Sequence, residues 1–221
     1  MTRLHQNSHR NYGLALHTTS PELGFAISNF DGDRRCQTWD LGKEMSSLLH
    51  VYLSKFLPPQ TWENLAFLAV AKGPGSFTGT RIGMVTARTL AQQLHLPLFA
   101  ISTTAAIAQQ QRHANPTIPP HADIAVQMPA QRNQLFTAIY KPCAESGGLT
   151  TLLPDTARTW DAWQDILNAW TSPYYLILAP SHHGSSTLAL LDLAYGSWKQ
   201  GKRPHWEEAL PYYGQHPVHQ N

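Results

Sequence analysis

Charged side chains are scarce in this chain of 221 residues. Asp, Glu, Lys and Arg together make up 14% of it, and the formal net charge is +2. Because the Lys and Arg residues are scattered, the sequence lacks the clustered basic face that is typical of proteins that bind nucleic acids directly. There is also no run of 18 apolar residues, so the sequence predicts no membrane-spanning helix.

Cysteine is rare as well, with Cys36 and Cys143 far apart and without the spacing of metal ligands. Such a pair is typical of reduced thiols in the cytoplasm and not of a disulfide framework. Residues 1–11 are polar and lack the apolar segment of a signal peptide, so we interpret them as a disordered tail.

Histidine is abundant, with twelve residues. Only His5 and His9 have the i, i+4 spacing that places two imidazoles on one helix face, and they lie in the polar tail. His182 and His183 are adjacent and would point apart. We therefore expect solvated histidines and no metal site.

One stretch, Lys72–Gly83, combines four glycines with a proline and three hydroxyl side chains. The apolar run Leu65–Ala71 precedes it and a helical pattern to Leu94 follows, which predicts a tight turn from a buried strand into a helix. Ser76 or Thr78 would cap that helix. Backbone N–H groups at such a turn attract phosphate or carboxylate, and the candidate phosphate-facing residues are Gly73, Gly75, Ser76, Thr78 and Gly79.

The spacing in this stretch matches neither a Walker A loop nor a Rossmann fingerprint. The residues themselves leave open a purely structural turn, in which glycines permit close packing. However, the sequence from Gly73 to Gly83, GPGSFTGTRIG, closely resembles the signature of the TsaB (YeaZ) family. The resemblance is strongest over Leu65–Ala108, weaker over Leu14–Phe56 and slight afterwards.

This resemblance implies an α/β protein with the actin-like ATPase (ribonuclease H-like) fold, in two lobes of which the second is reduced. TsaB is the non-catalytic partner of TsaD in bacterial tRNA threonylcarbamoyladenosine biosynthesis. The family therefore implies a cytoplasmic scaffold subunit without catalytic residues, metal or cofactor, apart from weak nucleotide binding. It would contact tRNA, and a TsaE-like ATPase, only as part of its complex with TsaD.

In the family, two N-terminal helices pair with the equivalent helices of TsaD or of a second copy. Here they correspond to Glu44–Leu57 and Thr80–Leu94, both with apolar positions at three- and four-residue spacing. Ile82 and Val85 fall on the side of their helix opposite the expected core. The predicted interface residues are Met45, Leu49, Tyr52, Ile82, Val85 and Thr89.

His17 is a departure from the pattern of this superfamily. The turn after the first strand usually begins with an Asp that faces phosphate and metal, and His17 occupies that position. Neutral imidazole is a poor ligand for Mg²⁺, which argues against ATP hydrolysis. We expect an ordinary, partly buried histidine. The alternatives are a nucleotide-binding regulatory module and an active actin-like ATPase or metallopeptidase-like hydrolase.

The predicted organisation is a first lobe over 12–108, an inter-lobe loop over 109–120 and a smaller second lobe over 121–221. The first lobe opens with strands at Tyr12–His17, Leu23–Ser28 and Arg34–Leu41. The second lobe contains the hairpin strands Asp123–Met128 and Gln134–Tyr140, a helix with an aromatic stripe beginning at Trp160, a strand at Tyr174–Ala179 and a helix ending near Lys199.

Overall fold

The computed structural model of the chain describes residues 10–143 and 147–214. Most of the predicted tail, with His5 and His9, lies outside the described residues. Asn11 belongs to the ordered chain, since its backbone N–H donates to the carbonyl of Asn64 at 3.1 Å. Within the described ranges, no helix is both long and apolar enough to cross a membrane.

The first lobe is built on a five-stranded mixed sheet with the order β3-β2-β1-β4-β5. The first three strands form an antiparallel meander, and β4 and β5 run parallel to β1. The strands are β1 (Tyr12–His17), β2 (Glu22–Ser28), β3 (Arg34–Asp40), β4 (Leu65–Ala71) and β5 (Leu98–Ile101).

The two faces of this sheet bury different sets of side chains under different helices, because successive residues of a strand point to opposite sides. Leu14, Leu16 and Val70 point to the face covered by α1 (Met45–Phe56) and α2 (Phe77–Leu94). The opposite face carries several small side chains, such as Ala15, Ala26 and Ala69, together with the rings of Phe67 and Phe99. Small side chains allow α5 (Thr187–Lys199) to approach the sheet closely through Leu190, Leu191 and Ala194.

The second lobe has a four-stranded sheet with the order β8-β7-β6-β9. Its elements are β6 (Asp123–Pro129), β7 (Gln134–Pro142), β8 (Leu149–Thr159), α4 (Trp160–Ala169) and β9 (Tyr174–Leu178). In the predicted aromatic stripe, Trp163 is fully buried on this sheet, whereas Trp160 is exposed. Two mixed sheets, each covered by helices, give the predicted two-lobed α/β fold.

Two elements differ from the predicted organisation. α3 (Thr103–Ala114) continues through the first half of the predicted loop over 109–120, because Gln109 is buried and its amide donates to the carbonyl of Gly147 at 2.8 Å. α5, predicted within the second lobe, packs on the first sheet. α3 lies between the lobes, with Ile107 against the second sheet and Ala106 against α5.

Candidate functional site

The glycine-rich turn connects β4 to α2 and packs against the turn between β1 and β2. Ser76 is the N-cap of α2, and its hydroxyl accepts a hydrogen bond from the N–H of Gly79 at 3.1 Å. α2 therefore begins at Phe77, three residues earlier than the sequence predicts. Of the two candidate caps, the structure identifies Ser76.

Glycine is required in this turn by the close approach of the β1–β2 turn. Gly75 has a φ of +152°, and a Cβ atom there would lie 2.3 Å from the carbonyl oxygen of Thr19. A Cβ atom at Gly79 would lie 1.9 Å from the carbonyl oxygen of Thr18. No L side chain fits at these distances, so both glycines serve the contact between the two turns.

The hydroxyl groups of the β1–β2 turn bond to the protein itself. Thr18 donates its hydroxyl to the carbonyl of Gly79 at 2.7 Å, and the hydroxyls of Thr19 and Thr103 lie 3.0 Å apart. The N–H of Ser76 donates to the carbonyl of Thr19 at 2.7 Å. These bonds hold the β1–β2 turn, the glycine-rich turn and the start of α3 in one cluster.

The C-terminal segment closes the glycine-rich turn from the other side. The N–H of Tyr212 donates to the carbonyl of Lys72, and the ring of Tyr213 lies 4.4 Å from the ring of Phe77. A Cβ atom at Gly73 would lie 2.1 Å from the carbonyl oxygen of Tyr212. Gly73 and Gly79 are thus enclosed by protein, whereas Gly75, Ser76 and Thr78 line a cleft between the lobes.

His17 is fully buried and not partly buried as predicted. Neither of its ring nitrogens has a hydrogen-bond partner among the described residues, and its ring lies 5.2 Å from that of His183 in an edge-on arrangement. Burial, and secondarily the neighbouring His183, hold the pKa of His17 well below its ordinary value. At neutral pH the imidazole is therefore uncharged.

His183 is a residue that sequence reasoning missed, since it was expected to be solvated. It is buried, and its Nε2 atom lies 3.3 Å from the hydroxyl of Thr19 while its Nδ1 atom lies 3.1 Å from the carbonyl of Pro180. Burial lowers the pKa of His183 as well. No local sequence signal marks this position, because its burial depends on the packing of the segment after β9 against the β1–β2 turn.

The inter-lobe cleft has a volume of about 630 Å³, which is the size of a small-molecule site. The side chains that line it are hydroxyl, amide, apolar and aromatic groups together with His183, and among the described lining residues there is no Asp, Glu, Lys or Arg. A carboxylate is the usual ligand for Mg²⁺, and a cation is the usual partner of a nucleotide phosphate. The described lining of the cleft offers neither group.

A partly buried carboxyl group lies at the junction of α3 with the second sheet. Asp155 of β8 accepts a hydrogen bond from the hydroxyl of Thr104, which also lies 2.8 Å from the hydroxyl of Tyr140. Burial raises the pKa of Asp155 and of Tyr140. This cluster ties the start of α3 to β7 and β8 and does not line the cleft.

The predicted interface residues are distributed unevenly over α1 and α2. Val85 is 64% exposed, and Thr89, one turn further along α2, is also exposed. Met45 and Leu49 are buried, and Tyr52 is half-buried with its ring 4.8 Å from that of Trp39. Val85 and Thr89 are therefore the predicted residues that are most accessible to a partner.

A groove of about 300 Å³ runs between the two helices. Leu49, Leu53 and Ile82 contribute apolar surface to it, and Ile82 is half-buried against the core of the first lobe. The helical position of Ile82 predicts a fully exposed side chain. Ile82 is instead only partly exposed, because the neighbouring α1 covers part of it. The groove is also lined by Ser46, His50, Ser54, Trp62, Thr86 and Leu90.

The family model for "TsaD: tRNA N6-adenosine threonylcarbamoyltransferase" matches residues 59–150. Among curated proteins, the tRNA threonylcarbamoyladenosine biosynthesis protein TsaB of Bacillus subtilis (strain 168) is 35% identical over 111 residues, which cover 50% of this chain and 45% of that protein. TsaB of Buchnera aphidicola is 44% identical over 50 residues, 23% of this chain and 24% of that protein. The matched region thus spans less than half the length of either relative.

Two solved structures from Pseudomonas aeruginosa share the fold along most of the chain. One is described as an uncharacterized protein with similarity to peptidase YEAZ, with a TM-score of 0.75 and 21% identity, covering 93% of this chain and 100% of that one. The other, YeaZ, has a TM-score of 0.72 and 22% identity, covering 92% and 99%. At this level of identity the two structures establish the fold alone. Support for the TsaB family comes from the sequence matches.

Proposed function

We propose that this chain is a dimerisation and scaffold subunit for tRNA N6-threonylcarbamoyladenosine synthesis. The proposal rests on the TsaB (YeaZ) family, which these comparisons support for this chain. The chain acts in the cytoplasm, and a TsaD-like subunit carries the chemistry. This chain contacts that subunit through α1 and α2. The tRNA, and a TsaE-like ATPase, associate with the complex and not with this chain alone.

The observation that carries the proposal is the exposed face of α1 and α2. Neither helix contains an Asp or Glu, and the exposed residues of α1 are mainly Ser and His. Val85 projects from α2 between Arg81, which is exposed one turn before it, and Arg88, which is partly exposed one turn after it. The apolar groove lies between the helices. Helical interfaces gain affinity from a few apolar anchors in a desolvated setting, and this face offers such an anchor among cations and neutral side chains, with no carboxylate on either helix.

The composition of the inter-lobe cleft supports a non-catalytic role. An actin-like ATPase needs a carboxylate for its metal, and His17 takes that position with both nitrogens enclosed in protein. The hydroxyls of the β1–β2 turn are bonded to the protein. These turns instead hold each other and the start of α3 in one cluster.

Co-purification from the native cell tests the proposed function. We expect the tagged chain at its natural expression level to retain a TsaD-like subunit through size-exclusion chromatography. Recovery of the chain as a monomer or homodimer, with the TsaD-like subunit present in the same lysate but eluting elsewhere, would contradict the proposal.

A nucleotide-binding regulatory module is the second candidate, and the volume of the cleft favours it. Calorimetry with ATP and with ADP distinguishes the two candidates. A scaffold should give at most the small heat of weak binding, because the described residues that line the cleft include no Lys or Arg to meet the phosphates. Micromolar binding of either nucleotide would favour the regulatory module.

A further inference from the structure

The second sheet repeats the arrangement of the first but lacks its last strand. In the first sheet the order is β3-β2-β1-β4-β5, and in the second it is β8-β7-β6-β9. The strand directions also correspond: β6–β7 and β7–β8 are antiparallel like β1–β2 and β2–β3, and β6–β9 is parallel like β1–β4. β9 is thus the counterpart of β4, and the position that β5 occupies beside β4 has no counterpart beside β9 among the described residues.

β9 has the sequence of a central strand although it lies at an edge. Its five residues, YYLIL, are all apolar or aromatic and contain no charge, proline or glycine. Tyr174 is 38% exposed and Leu178 is 67% exposed. Natural edge strands are commonly protected by charged side chains or bulges, because an unprotected edge acts as a template for another strand.

The hydrogen bonds to β6 identify which residues of β9 face outward. Pro173 accepts from the N–H of Asp123, and Ala179 donates its N–H to the carbonyl of Gln127. Since the bonding direction alternates along a parallel ladder, the backbone groups of Tyr175 and Ile177 also point toward β6. The N–H and C=O groups of Tyr174, Leu176 and Leu178 then point away from the sheet.

We propose that β9 pairs in antiparallel register with β9 of a second copy of this chain, which joins the two second sheets into one. The pairing is centred on Leu176, so that Leu176 lies opposite Leu176 of the other copy and Tyr174 lies opposite Leu178. A two-fold symmetric contact must be self-complementary, and this register satisfies that condition. It also brings together the two exposed side chains of the strand.

Pro180 disfavours registers shifted toward the C-terminus of β9. Pro173 precedes β9, and Pro180 follows it after one residue. Pro180 occupies the next outward-facing position after Leu178 and has no N–H to donate. A shift toward the C-terminus would place Pro180 in the ladder, whereas the register centred on Leu176 uses the three outward-facing residues of both copies. No like charges oppose each other, since the strand has none.

This contact is distinct from the face on α1 and α2. A single strand pair buries little surface, so self-association through β9 should be weak and should depend on concentration. It leaves Val85 free, and two heterodimers could therefore associate through their second lobes. The proposal does not depend on the identity of the partner at α1 and α2.

Hydrogen exchange of individual amides at low and high protein concentration tests the pairing. We expect the amides of Tyr174, Leu176 and Leu178 to exchange more slowly at high concentration, while those of Tyr175 and Ile177 stay protected at every concentration because they bond to β6. Fast exchange of the three outward amides at every concentration would overturn the proposal. Protection that does not change with concentration would also overturn it, because a segment of the same chain would then cover the edge.

Analytical ultracentrifugation of variants supplies the matched control. All variants carry Val85→Glu, which removes the proposed helical self-contact. Leu178→Lys should weaken self-association at least tenfold, whereas Leu152→Lys, on the opposite edge strand β8, should leave it unchanged. Equal association constants for the two variants would contradict pairing at β9, and so would a Val85→Glu protein that stays monomeric at several hundred micromolar. Neither outcome affects binding of a TsaD-like subunit, which is measured separately.

Discussion

At the scale of single residues, His17 has the least usual environment in the chain. The protein encloses it completely and leaves both nitrogens without a hydrogen-bond partner in the described part of the chain. A buried polar group without a partner destabilises the folded state by about 1–3 kcal/mol. His17 is therefore expected to reduce the stability of the folded state.

The pH dependence of folding should reveal this cost. His17 and His183 have lowered pKa values in the folded state because of burial, so below their ordinary pKa of about 6.5 the unfolded chain binds more protons than the folded chain. The contribution of these two histidines to stability should then be constant above that pH and should fall as the pH drops below it. Urea unfolding at a series of pH values measures the effect.

His17→Leu provides the comparison, since it removes one of the two titrating groups and both unpaired nitrogens. The variant should be as stable as the wild type or more stable at pH 7, and its loss of stability below about pH 6.5 should be smaller. A variant with clearly lower stability at pH 7 would show that the imidazole makes a favourable contact.

Gly75 is the residue at which backbone conformation and close packing coincide. Gly75→Val should destabilise the fold by more than the strain of a positive φ alone, which is about 1–3 kcal/mol. The added cost arises because the new Cβ atom would lie 2.3 Å from the carbonyl oxygen of Thr19.

Gly32→Val separates the two contributions to this cost. Gly32 has a φ of +92° and nothing within 4 Å of a Cβ atom, so its variant carries the strain without the clash. Thermal melting should show a larger decrease for Gly75→Val. An unchanged melting temperature together with lost partner binding would instead identify the turn as a recognition element.

At the scale of elements, the cap of α2 allows a direct test. The hydroxyl of Ser76 accepts from the N–H of Gly79, so Ser76→Ala should cost about 1 kcal/mol of folding stability. Thr78→Ala, within the first turn of the same helix, should cost less because Thr78 is exposed and is not the cap. Equal losses in chemical denaturation would show that the cap contributes little.

The strands of the first lobe were predictable because their signals are local. β1 and β4 have the bounds that the sequence predicts, since each is an apolar run between turn residues and is buried on both faces. The turn into α2 was predictable for the same reason. Its glycines and its capping hydroxyl are adjacent in sequence and act on neighbouring backbone groups.

Other elements depend on contacts that the sequence does not display. β8 was not predicted, because it is polar, largely exposed and contains Pro154, and it is defined by pairing with β7. The second half of α3 was predicted as a loop because its residues are mainly polar, yet Gln109 and Arg112 bond to the backbone at Gly147 and Gly148. The burial of His17 and His183 follows from packing between segments more than 160 residues apart.

At the scale of the whole molecule, the account predicts that the isolated chain has no catalytic activity. We expect no appreciable ATP hydrolysis and no transfer of threonylcarbamoyl to tRNA, because the described cleft lining has no carboxylate and no cation. Steady-state assays of the purified chain, with and without chelator, measure this. Turnover that His17→Ala abolishes would contradict a scaffold role, whereas turnover that survives both His17→Ala and the chelator would indicate a contaminant.

The central claim, that α1 and α2 bind a TsaD-like subunit, is tested most directly by light scattering and calorimetry of the two subunits with Val85→Glu. A buried, unpaired charge at an interface costs about 3–5 kcal/mol, which weakens binding by a factor of more than about one hundred. Leu210→Glu is the matched control, since Leu210 is 63% exposed and Val85 is 64% exposed. Circular dichroism should show that both variants are folded. We predict that Val85→Glu abolishes the heterodimer and that Leu210→Glu retains it; a folded Val85→Glu variant that binds with undiminished affinity would place the interface elsewhere and contradict the account.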